Sequence, residues 1–133
     1  LSIFFPYIGG KHQLAPRIVE KLPGHRLYCE VFGGSGAVLL AKDPSEDEVF
    51  NDINGEISNL FRIVKYHYDE FVKEIRWYSW DRNLFNAFKL TSLAGLTDIQ
   101  RAARYYYLMR VCYGGRNPHN SLFAGGGVGS FSV

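Results

Sequence analysis

The feature that most constrains this chain is the run Phe32-Gly33-Gly34-Ser35-Gly36, set at the end of the alternating apolar positions Leu27, Cys29 and Val31. Apolar residues with period two read as a strand, here Arg26 to Phe32. Glycines at its end let the backbone turn sharply and approach a ligand closely. Ala37 to Ala41 then begins a predicted helix. Strand, glycine turn and helix in that order put backbone N–H groups at the carboxyl end of a parallel strand, where nucleotide-like ligands sit. Two flanking segments share this logic. Upstream, Pro6-Tyr7-Ile8-Gly9-Gly10-Lys11 joins an aromatic and a cation to a Gly-Gly turn. Downstream, Glu48 to Asn51 suits a second strand that ends in Asn51-Asp52-Ile53-Asn54.

Each segment has a ligand reading and a plainer one. Asp52 stands sixteen residues past Gly36. A carboxylate there accepts both hydroxyls of a ribose, or else serves as an N-cap or Asx turn before the helix at Gly55. Tyr7 offers a ring to stack on adenine and Lys11 a cation for a carboxylate, although Gly-Gly-Lys before a helix is commonly just a turn. Two nucleotide fingerprints fail on inspection. A dinucleotide motif from Gly34 needs a third glycine where Leu39 stands. A P-loop ending at Gly10-Lys11 needs glycine at Phe5 and a hydroxyl residue at His12.

Behind this front the period changes from two to helical. Leu14, Ile18, Val19 and Leu22 predict a helix over His12 to Leu22, with Pro16 near its first turn. Ile57, Leu60, Phe61, Val64 and Tyr68 mark a helix from Gly55, which Phe71, Val72 and Ile75 continue or restart. Leu84, Phe85 and Phe88 mark another. Thr97 with Gln100 is a capping-box pair opening a last helix through Arg110. Beyond Gly114 the chain reads as a hairpin or loop. Tyr105-Tyr106-Tyr107 point in different directions on a helix, so core packing is expected of them, as of Trp77 and Trp80.

With 133 residues there is room for one domain. A formal charge of +2 does not by itself imply a polyanion partner. Its distribution says more: after Asp98 there is no acidic residue, while Arg101, Arg104, Arg110 and Arg116 follow. Such a skew suits a phosphate backbone or a merely basic helix face. Cys29 and Cys112 lack metal-ligand spacing and are expected as buried thiols of a reducing cytoplasm. With no such spacing no metal site is expected, and since no apolar stretch reaches membrane-spanning length no membrane is expected either.

The ordered set PYIGGK, EVFGGSGAVLL and NDINGEISNLF resembles the Dam-type, alpha-class DNA adenine methyltransferases. The likeness continues through Gln100 to Arg110, Tyr113-Gly114-Gly115, Asn120 and Phe123. It implies a partial Rossmann-like α/β sheet for S-adenosylmethionine over residues 1–54, and a helical target-recognition region over 55–133. The cofactor residues it implies are Tyr7, Gly9, Gly10, Lys11, Glu30, Phe32, Gly33, Gly34, Ser35, Gly36, Asp52 and Ile53. The implied function is methyl transfer from S-adenosylmethionine to the exocyclic amine of adenine in duplex DNA, in a bacterial or phage-encoded cytoplasmic enzyme that can have a restriction endonuclease as companion.

Such enzymes hold the target amine with a loop of Asp, Asn or Ser followed by Pro-Pro and an aromatic, which stacks on the flipped base. No such tetrad occurs here; Asp43-Pro44-Ser45 and Asn117-Pro118-His119 are near misses that read as turns. No catalytic residue is therefore assigned, and the expectation is a catalytic half beyond residue 133 and a fragment inactive by itself. For DNA contact the candidates are Tyr113, Arg116, Asn117, His119 and Asn120, since Arg and Asn read guanine and adenine edges. Gly114 stands where relatives carry Asn, so a recognition sequence does not transfer. The rival reading is a non-catalytic cofactor- or DNA-binding remnant; a nicotinamide-dependent oxidoreductase is disfavoured by the missing third glycine.

Overall fold

A computed structural model describes residues 4–113 and 122–124. Its elements follow the order α1 (Ala15–Val19), β1 (Leu27–Glu30), β2 (Asp47–Phe50), α2 (Gly55–Tyr66), α3 (Tyr68–Ile75), α4 (Arg82–Leu90) and α5 (Asp98–Val111). β1 and β2 pair in parallel from Leu27 opposite Asp47 to Glu30 opposite Phe50. Because the strands run the same way, both carboxyl ends, with the glycine run and Asp52 just past them, fall on one edge. The expected mixed α/β character is present as this two-stranded sheet with helices behind it.

The helix expected after Gly36 does not form. Residues 37–42 make only turns, closed by Leu40 N–H to Gly36 O (2.9 Å) and Lys42 N–H to Val38 O (3.1 Å). The segment is too short to repay helix nucleation. Pro44 also biases Asp43 away from helical geometry. α1 is likewise shorter than predicted, with Pro16 in its first turn.

One core joins the front segment to the helices. Phe5, Ile57, Leu60, Ile63, Phe71 and Ile75 pack together against Ala102, Ala103 and Met109 of α5. α5 is thus the central helix, and its two alanines let α2 and α3 approach closely. Thr97 Oγ1 accepts from Gln100 N–H (3.2 Å) and Gln100 Oε1 accepts from Thr97 N–H (3.0 Å), completing the expected capping box. A second cluster gathers Phe85, Tyr107, Leu108, Val111 and Cys112, with Trp80 and Phe123 against it.

The tyrosine run packs as expected: Tyr105 and Tyr107 are buried, and the Tyr107 hydroxyl donates to Ser79 O (2.9 Å) and Asp81 O (3.0 Å). Two expectations fail. Trp77 is 88% exposed, one residue past the C-cap of α3. Cys29 is exposed, because β1 turns that face outward; Cys112 is buried. Past α5, Cys112 pairs antiparallel with Phe123. The hairpin or loop expected between them lies outside the described residues. No helix among the described residues is long and apolar enough to cross a membrane, and they contain no cluster of three or more His, Cys, Asp or Glu that could hold a metal ion.

Candidate cofactor cleft

Pairing between the strands continues past their ends and fixes the glycine loop. Asn51 N–H donates to Glu30 O (2.8 Å), and Gly33 N–H to Asn51 O (2.9 Å). The Asn51 side-chain amide donates to Val31 O (2.9 Å). The loop then passes through Gly34 (φ +51°) and Gly36 (φ +67°), where L side chains are strained. A Cβ on Gly33 would lie 2.2 Å from Phe50 Cζ, and one on Gly36 would lie 2.5 Å from Phe61 Cζ. Those two rings stack at 4.1 Å between centroids, so neither yields easily.

Asp52 clamps the loop from the other strand. Its Oδ2 accepts from Gly34 N–H (2.8 Å) and its Oδ1 from Asn54 N–H (2.9 Å). Asn54 in turn caps α2 by accepting from Glu56 N–H (3.0 Å). The plain Asx-turn reading of Asp52 is therefore realised. A carboxylate has about four lone-pair directions, so two backbone donors leave acceptor capacity on the open side.

Gly10 N–H donates to Tyr7 O (3.0 Å), turning the first segment back over the loop. A Cβ on Gly34 would touch the Tyr7 ring at 3.1 Å. Burial, and secondarily the charge of Asp52, raise the Tyr7 pKa, so this ring stays a neutral phenol. Lys11 Nζ donates to Phe32 O (3.0 Å) and lies 3.7 Å from Glu30 Oε1. Glu30 is buried, and Tyr28 O–H donates to its other oxygen at 2.6 Å. Burial and that bond raise the Tyr28 pKa far above its ordinary value. A buried carboxylate is costly unless paired and hydrogen-bonded, and here it has both partners.

These groups enclose a cleft of about 230 Å³. Eleven of the twelve residues chosen from the sequence line it; Gly36 lies behind the loop against Phe61. Ala37 and Val38 also line it and escaped the sequence reading. Tyr28 was missed as well, although its place two residues before Glu30 on one strand puts both side chains on one face. Phe32 and Ile53 stand exposed at the rim, at 78% and 102%.

Two of the four arginines of the expected basic end, Arg101 and Arg104, are spent inside the protein. Arg101 pairs with Glu56 and with Asp98 (3.3 Å), and buried Arg104 donates to Phe88 O (2.7 Å). Of the predicted DNA contacts, Tyr113 is exposed just past α5. Arg116, Asn117, His119 and Asn120 lie outside the described residues.

Residues 7–122 match the family model described as D12 class N6 adenine-specific DNA methyltransferase. A DNA adenine methylase of Serratia marcescens is 34% identical across 88% of this chain and 44% of its own length. A DNA adenine methylase of Escherichia coli is 31% identical across 88% of this chain and 43% of its own length. The Type II methyltransferase M.MjaIII of Methanocaldococcus jannaschii is 27% identical across 84% and 46%. The chain thus spans somewhat under half the length of the curated relatives it matches.

Proposed function

The chain belongs to the D12 class of N6 adenine-specific DNA methyltransferases, and from that premise we propose that its cleft binds S-adenosylmethionine for methylation of adenine in duplex DNA. The observation that carries the proposal is the convergence of three segments, distant in sequence, on one cleft whose donor set suits this molecule. Tyr7, Phe32 and Ile53 offer apolar faces to adenine; Asp52 keeps acceptor capacity for the ribose hydroxyls; Lys11 and Glu30 form a charge pair matched to a zwitterionic amino-acid end. A cleft of about 230 Å³ is small beside ligand sites of about 300–1,000 Å³. It therefore seats part of the ligand and leaves the rest toward the rim.

When bound, S-adenosylmethionine supplies an electrophilic methyl on a sulfonium. The chain's own residues bind and orient: the clamped loop Gly33 to Gly36 cannot drift, because Asp52 holds Gly34 and Phe50 backs Gly33. The neutral phenol of Tyr7 adds no charge to the site. The 133 residues hold no amine-binding Pro-Pro-aromatic tetrad, so no residue here is given the proton-handling role. In this reading residues 1–54 carry the cofactor and 55–133 the DNA, a functional division laid across one shared core.

Isothermal titration of the chain with S-adenosylmethionine tests the reading. Saturable binding is expected, weakened at least tenfold by Lys11→Ala or Asp52→Ala. A folded chain, by circular dichroism, that takes up no cofactor would overturn it.

A further inference from the structure

Glu30 is the buried half of the charge pair in the cleft, and its two oxygens have different neighbours. Oε1 faces Lys11 Nζ at 3.7 Å, while Oε2 accepts from the Tyr28 hydroxyl at 2.6 Å. Tyr28 itself does not line the cleft. It stands two residues earlier on β1, so both side chains leave one face of the strand. A contact of 2.6 Å lies in the range of a hydroxyl bonded to an ionised carboxylate, which is the shorter and stronger class of hydrogen bond. Burial and this bond keep the phenol protonated, so the donor persists at every ordinary pH.

The Tyr28 ring is held from behind. Its register partner on β2 is Glu48, whose Oε1 accepts from Lys42 Nζ (2.5 Å) and from Ser45 N–H (3.1 Å). Lys42 also donates to Ser45 Oγ (2.8 Å) and to Asp43 O (2.9 Å), so all three of its N–H donors are engaged. With its side chain 3% exposed, the ammonium lies 4.6 Å from the centroid of the Tyr28 ring. A cation–π contact is worth most where the cation has lost its water. The ring therefore has a fixed place, and through its hydroxyl so does Glu30.

The pair in the cleft is also kept from closing. At 3.7 Å, Lys11 and Glu30 stand farther apart than a direct hydrogen bond allows. Tyr28 holds the carboxylate on one side, and Lys11 Nζ is drawn to Phe32 O (3.0 Å) on the other. Both charges so retain capacity for a ligand that carries both signs. We propose that Tyr28 is a positioning residue for the amino-acid end of S-adenosylmethionine, holding Glu30 Oε2 so that Oε1 meets the ligand's ammonium instead of closing on Lys11. This rests on the cofactor reading above. A carboxylate already held in its bound geometry loses less freedom when the ligand arrives, and that difference appears as affinity.

The test is isothermal titration of the folded chain with S-adenosylmethionine and with methylthioadenosine, which carries the same nucleoside but lacks the amino-acid end. Tyr28→Phe keeps the ring under Lys42 and removes only the hydroxyl. It is expected to weaken S-adenosylmethionine about tenfold, in keeping with one hydrogen bond to a charged group, and to leave methylthioadenosine unchanged. An equal loss on both ligands would mean that the whole cleft has loosened. An unchanged affinity for S-adenosylmethionine would mean that the hydroxyl does nothing for the ligand. Either result overturns the proposal. A double-mutant cycle with Glu30→Ala puts the same question without the truncated ligand. With no carboxylate left to position, adding Tyr28→Phe should cost no further affinity, and a second loss of the same size overturns the proposal. A folded wild-type chain that takes up no S-adenosylmethionine removes the cofactor reading and this proposal with it, whereas wild-type binding that Tyr28→Phe leaves untouched removes the proposal alone.

Discussion

Gly33 and Asp52 show how closely this site is built at the scale of single residues. Gly33 is defined by what stands behind it, because a methyl there runs into the Phe50 ring at 2.2 Å, and Phe50 is held by Phe61. Gly33→Ala is expected to cost about 1–3 kcal/mol, the usual range for overpacking, read as a lower urea midpoint. Phe50→Leu in the same chain should restore part of that loss, since it removes the atoms in collision. Asp52→Ala removes two charge-assisted bonds, to Gly34 and Asn54. A stability loss of about 1–3 kcal/mol is expected from the orphaned N–H groups. Its place at the end of a strand was legible in the sequence, but the identity of its partners was not, since Gly34 lies eighteen residues away and meets it only once the strands pair. Tyr28 escaped for a related reason: a tyrosine in a strand is ordinary until its hydroxyl is seen 2.6 Å from a buried carboxylate.

At the scale of elements, local signals were read correctly where they were redundant. α5 carries a capping box, helical periodicity and a buried face together, and it forms as expected. Thr97→Ala is expected to lower stability by about 1 kcal/mol, the common worth of an N-cap, seen as a lower thermal midpoint by circular dichroism. Gln100→Ala should cost less, because Thr97 still caps without it. Residues 37–42 carry only one of those signals. Ala37, Val38, Leu39 and Leu40 favour helix by composition, yet Val38 alone of the four is fully buried, and Pro44 closes the run. Trp77 and Cys29 make the complementary point: an apolar residue in an apolar stretch is buried only if its own face is covered, and neither face is.

The whole molecule draws much of its core from aromatic rings, and this gives it a definite response to alkali. Tyr7, Tyr28, Tyr78, Tyr105, Tyr106 and Tyr107 all have pKa values raised above the ordinary 10, with burial the leading cause in each. In the unfolded chain these phenols ionise near pH 10, while in the folded chain they keep their protons to higher pH. Above about pH 10 the unfolded state therefore binds fewer protons than the folded one, and stability falls as pH rises. Below that pH both states hold the same protons on these groups, and they contribute no slope. Urea midpoints should thus be flat in this respect up to about pH 10 and then drop steeply, with tyrosinate absorbance appearing together with unfolding. Tyr105, 7% exposed and bonded only weakly to the Asn54 amide at 3.3 Å, is the residue on which to test this. Tyr105→Phe removes one titrating group with little loss of packing, so the alkaline slope should lessen by up to about 1.4 kcal/mol per pH unit. An unchanged slope would mean that the alkaline loss begins elsewhere, with Tyr7 over the glycine-loop cleft and Tyr28 behind Glu30 as the phenols to test next.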